Sequence, residues 1–562
     1  MRRLSSLLLF PLLLSCDKAN PGGAADGGTA NPKLGPDEIP LTVDLACPGS
    51  KDCPDQGDGK LLVGAAKRDI TPVVEPFTDG NGNGTWQPGE PYVDLNKNGR
   101  FDPVWIAGYG EGRQAFAVHD PNWVRCYVLR QNQTTVAHCV VDVVGYFRDE
   151  TVQIQATLDP KLGVDLLMMS ATHVHETKDS VGIWGSDPTS SGFDPVWMAQ
   201  IRAATVAAIG EAVGKLKPAK LALASILTED PGKNLTPYVT DSRDPVVIDH
   251  RLHLMQFDGE DGKPIVTVIN WSSHPEALGS GNHYVSSDFV HYLRETVERG
   301  TGCDVVFVNG SVGGQIGPGR VEPRAPDGTV IKSRDYGFAF INAWGQSLGV
   351  LALKAFAQRK EAPSPKLAFR ATTFNVHIEN LYYHTASALG LFKRQFFGSD
   401  KKKPLVRCPG DPRCPDGEVW DNTPLVDTQV AYLTLGPAAI ITAPGELFPE
   451  CFLGGYDGTA SGAFPVVKKD NKNPPQLDRA PKPPYLIDLM DGEREHRMVF
   501  GLTLDFLGYI VPSYDFVLDL DAPYLNEAAG DHYEETNSIG PRSFPEIVGT
   551  MRQLIEHGRQ PR

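Results

Sequence analysis

Short apolar runs that end in polar clusters constrain this chain more than any other feature. From Leu61 onward, runs of strand length alternate with segments of helical period, which specifies an α/β fold with large buried mixed β-sheets flanked by helices. Strands are expected from Thr134 to Val144, Leu166 to Ala171, Pro264 to Asn270, Asp304 to Asn309 and Pro437 to Thr442. Helices are expected from Pro195 to Leu216, Phe289 to Arg299, Asp335 to Ala357 and, near the end of the chain, Phe544 to His557. The 57 Gly and 46 Pro concentrate between these elements, implying long structured loops at 397–422 and 454–484 of the kind that shape a substrate entrance. With 562 residues, 41% hydrophobic and 22% charged, the chain has ample material for a core, which excludes disorder over its length.

The formal charge of -16 disfavours a nucleic-acid partner, because phosphate neutralisation needs a basic face. Lys401-Lys402-Lys403 is the one obvious basic run, and three loop lysines read as solvated.

The first residues carry an address. Met1-Arg2-Arg3 is a positive start, and Leu4 to Leu14 is apolar but far shorter than the ~20 residues of a membrane span. The run ends in Leu13-Leu14-Ser15-Cys16, which resembles a bacterial lipobox, with Cys16 lipidated and first in the mature protein. Plain signal cleavage nearby is the alternative. The expected organisation is a lipoprotein signal peptide over 1–16, a flexible tether over 17–54 and one folded domain over 55–562. The chain is expected in the cell envelope, lipid-anchored, on the periplasmic side or the cell surface. Eight further cysteines permit disulfides there. Cys47 with Cys53, and Cys408 with Cys414, read as small Pro/Gly loop disulfides, with metal binding by these thiols as the alternative. Cys126 and Cys139 flank a hairpin turning through Gln131-Asn132-Gln133, and either pair or stay as core thiols.

Residues 79–102 read as calcium-type loops. Asp79, Asn81, Asn83, Gly84 and Glu90 fill the first, third, fifth, sixth and twelfth positions of the twelve-residue calcium loop. Asp94, Asn96, Asn98 and Asp102 repeat its start around Gly99, but Trp105 stands at the twelfth position, where a carboxylate belongs. Pro88 argues against flanking helices, so Ca2+ here would order a loop rather than do chemistry. A flexible polar turn is the bland alternative.

Chemistry is expected where buried strands end on a rigid rim. After Leu166 to Ala171 come His173 and His175, which period two would put on one face if the chain stays extended. After Val266 to Asn270 comes His274, and after Ile440 to Thr442 comes Glu446. Two imidazoles and a carboxylate are a common catalytic zinc set. The glycines of Asn309-Gly310-Ser311-Val312-Gly313-Gly314 fit no phosphate-binding fingerprint and read as close backbone approach to the site.

These residues resemble the neutral (non-lysosomal) ceramidase family. Gly64-Ala65-Ala66-Lys67-Arg68-Asp69-Ile70-Thr71-Pro72 is similar to its opening strand and turn, and Ser170-Ala171-Thr172-His173-Val174-His175 to its Thr-His-Thr-His segment. Asn270-Trp271 through His274-Pro275, Ser286-Ser287-Asp288, Pro444-Gly445-Glu446, Asp505-Phe506-Leu507-Gly508-Tyr509, and Tyr533-Glu534 before Gly540-Pro541 follow in the family's order. The resemblance implies a catalytic zinc held by His173, His274, Glu446 and Tyr509, with His175 and Tyr533 handling protons and an oxyanion. It also implies a fold like that catalytic domain, here without the C-terminal β-sandwich. Three departures bear on the substrate. Ile316 stands at the serine of the family's Gly-Asp-X-Ser-Pro segment, and Leu235 replaces the arginine of its Asn-Arg-Ser-Pro segment. Tyr533 follows Tyr509 by about twelve residues more than the family pattern. The expected activity is zinc-dependent cleavage of an amide in an N-acyl, ceramide-like lipid by metal-activated water. An ester or lactone substrate on the same site, or a metal-containing binding lipoprotein without turnover, are the alternatives.

Overall fold

The computed structural model describes residues 38–557 apart from 51–52, 56, 229–237, 325–327, 332–336, 398–423, 461–463, 491 and 493. Cys16, Leu235, the Lys401–Lys403 run and the Cys408/Cys414 pair lie outside the described residues.

Two sheets stack face to face. The larger runs Asp304–Asn309, Pro264–Trp271, Arg251–Gly259, Lys217–Leu227, Leu61–Asp69, Trp123–Gln131, Thr134–Val141, Leu166–Ala171, with Lys360–Glu361 beside Lys217–Leu227. Its pairing is mixed: the two ends are parallel and the middle antiparallel. The smaller sheet runs Leu45–Cys47, Leu367–His377, Leu425–Leu435, Ala438–Thr442, His496–Phe500. The fold class is therefore the expected α/β arrangement of large mixed sheets flanked by helices.

Alternation along the strands decides which layer each residue joins. Val136, Val140, Leu166 and Met168 face the smaller sheet, where they meet Phe369, Leu433, Ile440 and Met498 in one buried cluster. Their neighbours Ala137, Cys139, Leu167 and Met169 face the opposite way and pack with Trp197, Met198, Ile201 and Ile209 of the helix Pro195–Gly214. At the other end of the large sheet, Ile269, Val305 and Phe307 bury against the helices Phe289–Thr301 and Phe338–Gln358 through Phe289, Leu293 and Trp344.

Local signals set the helix ends. Asp194 accepts the N–H groups of Val196 and Trp197 ahead of Pro195, while Gly302, at φ 75°, closes Phe289–Thr301 in a left-handed turn. The expected helix from Asp335 is described from Phe338, and that from Phe544 opens with a wide π turn over Phe544–Val548 before Gly549–Glu556. Leu45–Cys47, inside the span expected as tether, is an edge strand of the smaller sheet, and Leu41 is held by the Gln553 side chain.

Cys47 pairs with Cys53, and Cys126 with Cys139, which stand directly opposite in their hairpin. Cys47, Cys53 and Asp165 lie close enough to hold a metal, but sulfurs joined as a disulfide are not thiolate ligands, so the disulfide reading takes precedence. Among the described residues no helix is long and apolar enough to cross a membrane.

Candidate metal centre and its cavity

The strand ends converge as rims do. Leu166–Ala171 delivers His173, Pro264–Trp271 delivers His274, and the short strand Glu446–Leu447 runs parallel to Tyr509–Ile510 with Glu446 in register with Tyr509. The condition for strand alternation at 172–175 is not met: the strand stops at Ala171 and His173 sits at φ 69°. The two imidazoles meet by that turn rather than by strand alternation, their rings edge to face with centroids 4.8 Å apart.

The polar atoms point at one centre. His173 Nε2 lies 3.2 Å and His274 Nε2 3.1 Å from Glu446 Oε2, and His274 Nε2 is 3.1 Å from the Tyr509 hydroxyl. His175 Nε2 is 3.4 Å from His173 Nε2, and Tyr533 reaches the Tyr509 hydroxyl at 3.1 Å. Zinc bonds of ~2.0–2.1 Å in a tetrahedron separate the donor atoms by about 3.3 Å. These separations fit such an ion without rearrangement. The tautomers fit too: His173 Nδ1 pairs with the Val144 carbonyl at 2.6 Å and His274 Nδ1 with the Gln315 carbonyl at 3.0 Å, which leaves each Nε2 lone pair toward the centre. The ligand nitrogens of His173, His175 and His274 all lie within 4.8 Å of one another, so a histidine triad able to hold a metal is present.

His274 carries the proton that pairs it with the Glu446 carboxylate, and a bound cation would take that proton's place. Burial works to raise the Glu446 carboxyl, but the His173 and His274 imidazoles outweigh it and hold the group at about 2. For His274, burial opposes the charge, while its hydrogen bond to Glu446 and the Glu276 charge raise it to about 9. Burial first, then the Glu446 charge, push the Tyr509 phenol well above 10, so only a bound cation would let it ionise. His175 is driven well below 6.5 by burial and then by the neighbouring imidazoles, and is neutral.

The centre opens into a cavity of about 790 Å³. Its lining is largely apolar, with Phe147, Ile183, Trp184, Phe392, Phe396 and Phe506 among the residues. Tyr109, Ser242, Glu276 and Ile316 line it as well. Ile316 forms a parallel bridge beside His274, so the residue at the resembled family's serine position does face the site, but with an alkyl group. Ser311 is buried away from the cavity lining. The long loop before Tyr533 still returns its phenol to the centre.

Sequence reasoning missed Glu276 and Tyr109. Tyr109 stands between two cavity-lining glycines at φ 61°, and its hydroxyl donates to the Glu276 carbonyl at 2.6 Å. The Gly-Tyr-Gly triplet was its only sequence signal; Glu276, two residues after a ligand candidate, had none.

The 79–102 loops lie one hairpin away. Asp79 accepts the N–H groups of Gly82, Asn83 and Gly84, and Asp94 those of Asn98 and Gly99. Asn81 and Asn96 each accept the N–H two residues on, from Asn83 and Asn98. Trp86, Tyr92, Phe77 and Phe101 stack beneath them, and the Trp86 N–H reaches Gln114, at the foot of the hairpin that carries Tyr109. Glu75, buried at 1% exposure, also reaches this region and was not foreseen.

Residues 98–310, which include His173, His175 and His274, match the family described as neutral/alkaline non-lysosomal ceramidase, N-terminal. The fold is similar to the crystal structure of neutral ceramidase from Pseudomonas aeruginosa, with TM-score 0.58 and 14% identity over 89% of this chain and 74% of that one. It is also similar to a ceramidase complexed with C2, with TM-score 0.56 and 14% identity over 88% of this chain and 75% of that one. No curated protein matches the sequence. Glu446, Tyr509 and Tyr533 lie beyond the matched segment and come to the centre through the shared fold. The chain is thus similar over residues 98–310 to the neutral/alkaline non-lysosomal ceramidase family, and similar in fold to solved ceramidases over most of its length.

Proposed function

We infer that this chain is a secreted, lipid-anchored, zinc-dependent hydrolase that cleaves the amide bond of an N-acyl, ceramide-like lipid. The observation that carries this reading is the convergence of His173, His274, Glu446 and Tyr509 on one centre beside a largely apolar cavity. Zinc bound there would supply a Lewis acid and lower the pKa of coordinated water toward ~7. The residues of the chain do the rest. The apolar part of the lining takes the acyl chain and excludes water, placing the carbonyl beside His175 and Tyr533. The Tyr533 phenol, kept protonated by burial and then by the Glu534 charge, donates to oxygen charge that develops on the carbonyl. Neutral His175 accepts a proton at Nε2 and returns it to the leaving nitrogen.

Ile316 favours a second reading, hydrolysis of an ester or lactone on the same centre. An alkyl group there offers a polar headgroup no hydrogen bond, and an ester needs less protonation of its leaving group. In the same proposal, Cys16 carries the lipid that ties the chain to the cell envelope, and Ca2+ orders the 79–102 loops.

The test is metal analysis of residues 41–562 with turnover of fluorogenic amides and esters beside ceramide, for the intact chain and His274→Ala. Stoichiometric zinc and cleavage lost in the variant support the hydrolase, and the preferred substrate decides amide against ester. Zinc held without turnover of any substrate supports the metal-containing binding protein instead, and a protein that holds no zinc after reconstitution ends the hydrolase reading.

A further inference from the structure

His175 differs from the other two imidazoles of the centre in what stands behind it. His173 and His274 each engage a main-chain carbonyl through Nδ1, which fixes their rings. His175 Nδ1 is buried and has no hydrogen-bond partner. The nearest carboxylate is Glu276, whose Oε2 lies 3.5 Å from it, just beyond hydrogen-bond length.

The surroundings allow that gap to close in one way. The His175 N–H donates to the Pro275 carbonyl at 3.0 Å, and Tyr109 donates to the carbonyl of Glu276 itself, so the Glu276 main chain is pinned to the loop it serves. Arg113 donates to the His175 carbonyl, and the Tyr109 ring meets the imidazole edge-on at 5.7 Å. Gly108, at φ 81°, leaves Nδ1 free on its remaining side, since a β-carbon there would fall 2.4 Å from that atom. What remains free to turn is the Glu276 side chain, which lines the cavity. A small rotation brings its oxygen into hydrogen-bond range, and catalytic hydrogen bonds that are loose without substrate commonly tighten with it.

We propose that Glu276 is the positioning residue of His175: its carboxylate accepts the Nδ1 proton and so aims the Nε2 lone pair at the reacting centre. A carboxylate behind an imidazole fixes the tautomer and strengthens the ring as a base, and loss of such a partner typically costs about 10–100-fold in activity. The kinetic consequence rests on the hydrolase reading; the tautomer does not.

The experiment has two readouts. Long-range proton–nitrogen correlation on the protein as purified, with any metal it holds retained, and nitrogen-15 histidine reports which ring nitrogen of His175 carries the proton, its signals identified by their loss in His175→Gln. The unmodified protein should show the proton on Nδ1. Glu276→Met, which keeps the volume and removes the acceptor, should lose that preference, while Glu276→Gln, whose amide oxygen still accepts, should keep it. On the preferred substrate, kcat should fall about 10–100-fold in the Met variant with KM unchanged, and the Gln variant should lie between. A proton on Nε2 in the unmodified protein overturns the proposal, whether or not a variant folds. So does a Met variant with unaltered tautomer and kcat, or one in which only KM rises, since Glu276 would then touch substrate. If no substrate turns over, the hydrolase reading fails alone and the tautomer still decides this one.

Discussion

Glu75 stands to the 94–105 loop as Glu90 stands to the 79–90 loop. Each carboxylate uses one oxygen for the N–H of the second loop residue and the other for that of the ninth: Gly80 and Gln87 at 2.9 and 2.8 Å for Glu90, Leu95 and Asp102 at 3.0 and 2.8 Å for Glu75. Trp105 cannot supply the twelfth ligand of the second loop. Glu75 reaches the equivalent place from outside it.

Two calcium ions are therefore expected rather than one. Calorimetric titration of residues 41–562 should give a stoichiometry of two, and Glu75→Gln and Glu90→Gln should each remove one. Calcium at 100 times its dissociation constant should stabilise each site by about 2.7 kcal/mol, read as a rise in Tm that a chelator reverses. A Glu75→Gln protein that still binds two ions would sink this equivalence.

The two tyrosines at the centre should separate in mutation. Tyr509 touches His274 and stands in register with Glu446, whereas Tyr533 reaches the group only through the Tyr509 hydroxyl. Tyr509→Phe should weaken zinc affinity by more than the about 10–100-fold typical of outer partners. Tyr533→Phe should retain zinc and lose about 10²–10³ in kcat, as removal of an oxyanion donor does. Metal analysis with steady-state kinetics checks both, and equal zinc loss in the two variants would contradict the assignment.

The sequence showed the strand ends more clearly than what lies behind them. Leu166–Ala171 and Asp304–Asn309 have the expected bounds because continuous apolar runs stopped by polar residues leave little choice. The six residues at the centre were legible through the order of their motifs. The long strands Leu367–His377 and Leu425–Leu435 were not anticipated, although alternation is present in them: Ala431 and Leu433 face the other sheet, while Val430 and Tyr432 face the opposite side. Glu276 and Glu75 were invisible for a different reason. Each acts on a segment distant in sequence, through a contact that no local period encodes. His173 shows the limit from the other side, since its imidazole meets that of His175 through a left-handed turn that strand alternation does not encode.

A pH-dependent cost is built in beside Tyr533. Asp515, Glu534 and Glu535 share the buried Arg243 guanidinium, with Asp241 and Glu450 close by. Glu450 Oε2 has no hydrogen-bond partner. Burial, and then the Asp515 and Glu534 charges against the pull of main-chain hydrogen bonding and Arg243, push this carboxyl up to about 8. A carboxyl raised in the folded state binds more protons there than when unfolded, so stability falls as pH climbs from its ordinary 4.5 to about 8. Glu450→Gln removes that slope. The variant should melt with the parent near pH 5 and above it at pH 9; a difference in Tm that does not change with pH would refute this.

The last expectation links the core to the centre. Arg294 and Asp142 form a buried two-pronged pair at 2.8 and 2.9 Å, and Asp142 also accepts the Trp123 N–H at 2.9 Å and the Ser287 hydroxyl at 3.1 Å. Asp142 begins the segment whose next two carbonyls, of Val143 and Val144, receive the His173 N–H and Nδ1. Arg294→Met would leave a buried carboxylate unpaired, which costs about 3–5 kcal/mol. Adding Asp142→Asn removes the stranded charge while keeping an acceptor for Trp123, so the double variant should recover part of that loss. Urea unfolding measures both, and zinc affinity of the folded single variant should fall because the carbonyls that orient His173 are no longer held. A single variant destabilised by less than about 1 kcal/mol would mean that Asp142 is held by its other partners alone and that the helix Phe289–Thr301 does not brace the centre through this pair.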